Sequence, residues 1–125
     1  MLAIALIMPL MSHWLLQFFG RLHPMIVHFP IALLVVALLM EVISLKRKGT
    51  DLRYPIHILL AAGALTALLA VVFGWLLEQQ EDYSGGLLSF HKWMGISTAA
   101  LAVLTAFVHF RATTIASLRI YRALL

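Results

Sequence analysis

The sequence predicts an all-α integral membrane protein: a bundle of three clear transmembrane helices, an N-terminal interfacial helix and a surface or partial fourth helix. Composition is the first indication, since 63% of the 125 residues are hydrophobic and 11% are charged, against about 45–50% and about 25% in soluble domains. Three apolar runs, each long enough to cross a hydrocarbon core of about 30 Å, are the second. The chain also has no cysteine, which excludes disulfides, iron–sulfur ligation, thiolate catalysis and covalent c-type haem attachment.

A single membrane domain, 1–125, accounts for the whole sequence. The predicted transmembrane helices, each about 33 to 35 Å long at 1.5 Å per residue, are 24–45, 55–77 and 87–109. Residues 1–22 form an interfacial or N-terminal segment, because SHWLLQFFGRL is amphipathic and MLAIALIMPLM lacks the features of a secretory signal. A full crossing by residues 1–19 is the alternative. Residues 111–125 end without a polar tail and form the surface or partial fourth helix.

The charged residues between the apolar runs predict how the bundle is oriented. Four basic residues separate the first two helices and three more follow the third, whereas the remaining link carries Glu78, Glu81 and Asp82. By the positive-inside rule the basic side is cytoplasmic. The sequence therefore predicts a multi-pass protein of the bacterial inner membrane, with the acidic link and the start of the first helix in the periplasm.

The stretch HPMIVHFP, residues 23–30, places two prolines at the start of the first transmembrane helix. Pro24 suits the first turn, where a missing N–H costs nothing. A helix that began at Pro30 would be too short to span comfortably. We therefore expect the helix to begin near Pro24 and to be kinked at Pro30, which leaves the carbonyl of Ile26 without its hydrogen bond.

The histidines fall into two groups at opposite ends of the predicted bundle. The outer group is His23, His28 and His91, and the inner group is His57 and His109. Histidine inside a membrane helix is costly and commonly functional, and two such groups are what a pair of bis-histidine haem b sites needs. His91 and His109 are 18 residues, or about five turns, apart on one face, with the small residue Gly95 beside the first.

Within the outer group the sequence favours His28 and His91 as the pair that brackets one iron, because both lie at similar depth. His23 is about 140° of helical rotation away from His28 and shares that face only if the chain is redirected. Purely structural roles are the alternative: His57 and His109 could reach the lipid headgroups, His13 beside Trp14 suits the membrane interface, and His23 could cap the helix.

The segments GRLHPMIVHFPIALL and GWLLEQQEDYSGGLLSFHKWMG resemble a bacterial domain-of-unknown-function family of small predicted membrane proteins. Its members share the H-P-x-x-V-H-x-P start of the first helix and are often fused to, or encoded near, c-type cytochrome domains. The resemblance implies a redox setting and carries His23, His28 and His91 over as matching positions. Many members have a final helix with further histidines, which implies that a missing helix or another subunit supplies them here.

The leading hypothesis is a membrane electron-transfer subunit that binds haem b through the outer histidines and works with a periplasmic c-type cytochrome and other membrane subunits. A non-redox membrane anchor or assembly subunit is one alternative, and a quinone or proton site is another. The basic residues follow membrane topology, so we expect no nucleic-acid partner. The sequence contains no hydrolase or phosphate-binding motif, so we do not expect it to be an enzyme on its own.

Overall fold

The computed structural model describes residues 13–46, 52–79 and 85–124, with side chains as far as residue 112. These residues are almost wholly helical and contain no strand. Helix α1 covers 13–21, and the others are α2 (His23–Ile26), α3 (His28–Lys46), α4 (Arg53–Glu78) and α5 (Gly86–Leu124). Three helical stretches are long and apolar enough to cross a membrane: His13–Lys46, Arg53–Glu78 and Gly86–Ala112. The predicted all-α membrane fold with three spanning helices is confirmed.

Helix α4 is the centre of the bundle. It packs against both α3 and α5, and a third of its most apolar window is buried, against 11% for each of the other two spans. Its buried face consists largely of small residues, namely Gly63, Ala64, Ala67 and Ala70. Lipid provides no hydrophobic drive for helix association, so close approach over small residues is the main way such helices attract one another.

One end of the bundle is closed by a small apolar core near the α3–α4 link. Ala37 of α3 packs there with Ile56 and Leu60 of α4, and Ala106 of α5 lies against the same cluster. Large apolar side chains elsewhere, such as Leu38, Leu65 and Leu101, are more than half exposed. A surface of this kind is stable only in contact with lipid, because exposed apolar area is costly in water.

The first span is interrupted by short turns near its start. Helix α2 ends at Ile26 and a turn at Val27 precedes α3. Pro30 cannot donate a hydrogen bond to the carbonyl four residues earlier, which is the carbonyl of Ile26. The interruption thus lies where the proline was expected to weaken the helix, and a further turn at Leu22 separates α1 from α2.

The C-terminal part of the described chain differs from the predicted segmentation. Helix α5 is 39 residues long and runs without a break to Leu124, whereas a separate segment was expected from residue 111. After Gly95 the sequence contains no glycine or proline, so nothing stops the helix. At the other end, α1 packs on α4 through Phe19 and Phe73, whose ring centres are 5.6 Å apart. Residues 1–12 lie outside the described ranges, and the membrane placement of the N-terminus stays a prediction.

Candidate functional site

A cavity of about 1090 Å³ lies between α2 and α3 on one side and α5 on the other, with α4 as its floor. It is at the end of the bundle where α4 ends and α5 begins. Its volume is at the top of the range of about 300–1,000 Å³ that is usual for ligand pockets. The walls are mostly apolar, and the floor is lined by small residues: Ala67, Ala70 and Gly74. Three of the six histidines of the chain, His23, His28 and His91, line it.

His23 is held in place by α4. Its Nδ1 lies 2.8 Å from the carbonyl oxygen of Ala70, and because a carbonyl only accepts, Nδ1 carries the proton. The neutral ring then keeps a lone pair on Nε2. Gly74 makes this position accessible, since a Cβ added there would lie 2.9 Å from Cε1 of His23. The combination of Ala70 and Gly74 therefore fixes both the location and the tautomer of this imidazole.

His91 is the ring that His23 contacts across the cavity. The two ring centres are 6.2 Å apart and the ring planes are almost perpendicular, at 87°. The residue after His91 ties this end of α5 to α4, because Nζ of Lys92 lies 2.9 Å and 2.7 Å from the two carboxylate oxygens of Glu78. Both partners are partly exposed, so the ion pair contributes at most about 1 kcal/mol.

His28 lies on the α3 wall of the same cavity but contacts a different partner. Its Nδ1 donates to the carbonyl oxygen of Pro24 at 2.7 Å, and the side chain is exposed. The expected pairing of His28 with His91 thus differs from the ring contact that the structure shows, which joins His91 to His23. The expectation rested on the rotation of about 140° between His23 and His28 along a helix, yet both residues line the cavity, with a turn at Val27 between them.

Gly95 lies one turn after His91 on α5 and also lines the cavity. A Cβ added at Gly95 would meet no atom within 4 Å, so the space beside His91 is open. Ala99, one turn further, is buried and continues the same small-residue face. The position of Gly95 is compatible with the predicted close approach of a flat ligand to this helix.

The inner histidines meet each other at the far end of the bundle. The rings of His57 and His109 have centres 6.0 Å apart and are inclined by 24°, and the ring of Phe110 lies 5.2 Å from that of His57. Neither histidine lines the cavity. The sequence correctly placed these two residues at one level, while their role as cofactor ligands stays a prediction. His13 is exposed on α1.

The chemistry available at the cavity is that of paired imidazoles. Among the described residues there is no group of three or more histidine, aspartate or glutamate side chains that could hold a metal ion by themselves. Two opposed imidazoles can instead act as axial ligands to a metal that a macrocycle already holds. Sequence reasoning missed the Ala70 carbonyl and Gly74. Both belong to a stripe of small residues on α4, namely Gly63, Ala67, Ala70 and Gly74, which by itself predicts only close helix packing.

Comparison with known proteins gives one family match. Residues 21–124 match the family described as "Predicted membrane protein (DUF2231)". No curated protein and no solved structure matches the chain. The matched region begins just before His23 and includes all the histidines of the cavity, which confirms the resemblance noted from the two histidine-containing segments. Because the match covers most of the sequence, the chain belongs to this family of predicted membrane proteins.

Proposed function

We propose that the chain is an electron-transfer subunit of the bacterial inner membrane that binds one b-type haem between His23 and His91. The observation that carries the proposal is the 6.2 Å separation of these two rings across an apolar cavity of about 1090 Å³. When two imidazoles bind one metal from opposite sides, each through one nitrogen at about 2 Å, their ring centres lie roughly 6 Å apart. The ring planes can be perpendicular because each imidazole is free to adopt its own rotation about the metal–nitrogen bond.

The surroundings of the pair support a flat, apolar cofactor. Small residues on two helices, Gly74 and Gly95 among them, leave room beside the imidazoles. The hydrogen bond from Nδ1 of His23 to Ala70 leaves Nε2 as the ligand atom, and such bonds to backbone carbonyls orient a ligating histidine and raise its basicity. These residues therefore provide the donor atoms and the space that haem needs.

The protein's own residues would hold and insulate the group. His23 and His91 would ligate the iron, and apolar side chains such as Leu34 and Val71 would exclude water from its faces. Haem supplies one-electron oxidation and reduction, at a potential that depends on axial ligands, hydrogen bonding and burial. The Glu78–Lys92 pair would keep α4 and α5 together at this end, which holds the His91 wall at a constant distance.

The proposed partners follow from the placement of charge. Lys46 and Arg53 flank the α3–α4 link, and the cavity is at the opposite end of the bundle. With the basic end in the cytoplasm, the haem would lie near the periplasmic face. There it could exchange electrons with a periplasmic c-type cytochrome, while other membrane subunits would cover the exposed apolar faces.

Spectra of matched histidine variants test this function. The chain, purified in detergent after expression with haem supplied, should give a reduced-minus-oxidised spectrum of haem b and about one iron per chain. His23→Ala and His91→Ala should both lose the haem, because each variant removes one of the two histidines that would hold it. His57→Ala is the control and should keep it, since His57 lies outside the cavity.

Two results would contradict the proposal. One is a folded wild-type chain with neither haem b bands nor iron, which would favour the non-redox anchor or assembly subunit. The other is haem that survives both His23→Ala and His91→Ala but is lost with His57→Ala, which would move the ligands to the inner pair. Circular dichroism of each variant establishes that the loss of haem is not a loss of helix.

A further inference from the structure

His28 is a third imidazole in the cavity, and the haem pair does not use it. Its Nδ1 donates to the carbonyl of Pro24 at 2.7 Å, so in the neutral ring Nε2 can only accept a hydrogen bond. The side chain is exposed and lines the cavity from α3. The cavity therefore contains a hydrogen-bond acceptor whose orientation is fixed by the backbone.

The cavity wall around His28 belongs to the surface that faces lipid. Ile31 and Val35 follow His28 on α3, and Ile96 lies on the opposite wall. All three line the cavity and are at least 36% exposed. Since α3 and α5 each pack mainly on α4, the opening between them faces sideways, out of the bundle. A ligand that enters by this route comes from the hydrocarbon region and must be largely apolar.

We infer that His28 binds the head group of a lipid-soluble hydroquinone that enters between α3 and α5. A hydroquinone combines the required properties: an apolar tail that partitions into lipid, a flat ring and a hydroxyl that can donate to Nε2. The cavity volume of about 1090 Å³ is at the top of the usual range for ligand pockets and is sufficient for a hydroquinone ring. The inference goes beyond the proposed function and does not require haem to be present.

The fixed tautomer of His28 predicts which redox form is bound. Neutral His28 offers an acceptor and so selects the hydroxyl of the reduced form, whereas the oxidised form presents only carbonyl acceptors. Four other polar side chains line the same cavity, namely His23, Glu78, His91 and Lys92, so the preference must be assigned to His28 with a variant.

Isothermal titration calorimetry of the chain in lipid nanodiscs, under anaerobic conditions, tests the inference with a short-chain ubiquinol analogue and its oxidised form. The reduced form should bind about tenfold more tightly than the oxidised form, the effect of one hydrogen bond in a protected site. His28→Leu should weaken binding of the reduced form about tenfold and abolish the preference.

Two further variants separate this site from other effects. His28→Gln should bind both forms alike, because an amide both donates and accepts, and His13→Leu should behave as wild type because His13 is an exposed histidine outside the cavity. Equal affinity of wild type for the two forms would overturn the inference, as would unchanged binding by His28→Leu. His28→Leu should also keep its haem b spectrum. If wild type lacks haem but still prefers the reduced form through His28, only the proposed function fails.

Discussion

Gly74→Ala should displace His23 while leaving the stability of the bundle nearly unchanged. The added Cβ would lie 2.9 Å from Cε1 and 3.0 Å from Nδ1 of His23, closer than such atoms can stay. The imidazole can move away, but it then loses its hydrogen bond to Ala70, which contributes about 1 kcal/mol. Alanine gains about 1 kcal/mol over glycine within a helix. The two changes nearly cancel in the free energy of unfolding, so the substitution separates the position of His23 from the stability of the fold.

Gly63→Ala is the matched control on the same face of α4. Its added Cβ would lie 2.9 Å from Cδ2 of Leu34, a packed apolar contact far from the histidine. Overpacking of this kind costs about 1–3 kcal/mol, of which the helix preference of alanine offsets about 1 kcal/mol. Nitrogen NMR of histidine-labelled chain measures the hydrogen-bonded Nδ1–H signal of His23, and denaturant titration measures unfolding. Gly74→Ala should lose the signal and Gly63→Ala should keep it. If Gly74→Ala retains the signal, or is the more destabilised of the two, the reasoning is refuted.

Three other predictions concern the helix packing, an ion pair and the membrane orientation of the bundle. Gly20→Ala should destabilise the bundle by about 1–3 kcal/mol in a denaturant titration, since its Cβ would lie 3.0 Å from backbone of α4 that cannot rotate away. Lys92→Met should cost at most about 1 kcal/mol, and a double-mutant cycle with Glu78→Gln should assign that loss to their ion pair. Cysteines introduced at Gly86 and Lys46 should be labelled by an impermeant reagent from opposite sides of the membrane, Gly86 from the periplasm. Labelling of both from one side would contradict the orientation.

The features that could be predicted from the sequence are those that depend on composition and spacing. Apolar length alone identified the three spans, and the missing N–H of Pro30 located the interruption near Ile26. The positions of His57 and His109 near the inner ends of their predicted helices placed both at one level, and their rings do meet. The continuation of α5 to Leu124 was also open to prediction, because the segment after Gly95 has no helix breaker.

Which of the outer histidines contact each other could not be predicted in the same way. Helical rotation separates His23 from His28 by about 140°, yet both line the cavity, so the ring that meets His91 depends on how α2 and α3 pack on α4. The position of the His23 ring also depends on which face of α4 packs against α2. A stripe of small residues predicts close packing, but the carbonyl of Ala70 becomes a hydrogen-bond partner only through the tertiary arrangement.

Low-temperature electron paramagnetic resonance of the oxidised chain tests the central claim most directly. If His23 and His91 bind one haem iron with the nearly perpendicular ring planes of the structure, 87° apart, the spectrum should contain a low-spin signal with one feature at high g value. His23→Ala should abolish this signal together with the haem, whereas His57→Ala should leave it unchanged. A three-line rhombic spectrum would indicate parallel imidazoles and contradict this pair, and the absence of any low-spin iron signal from haem-supplied protein would contradict the haem site itself.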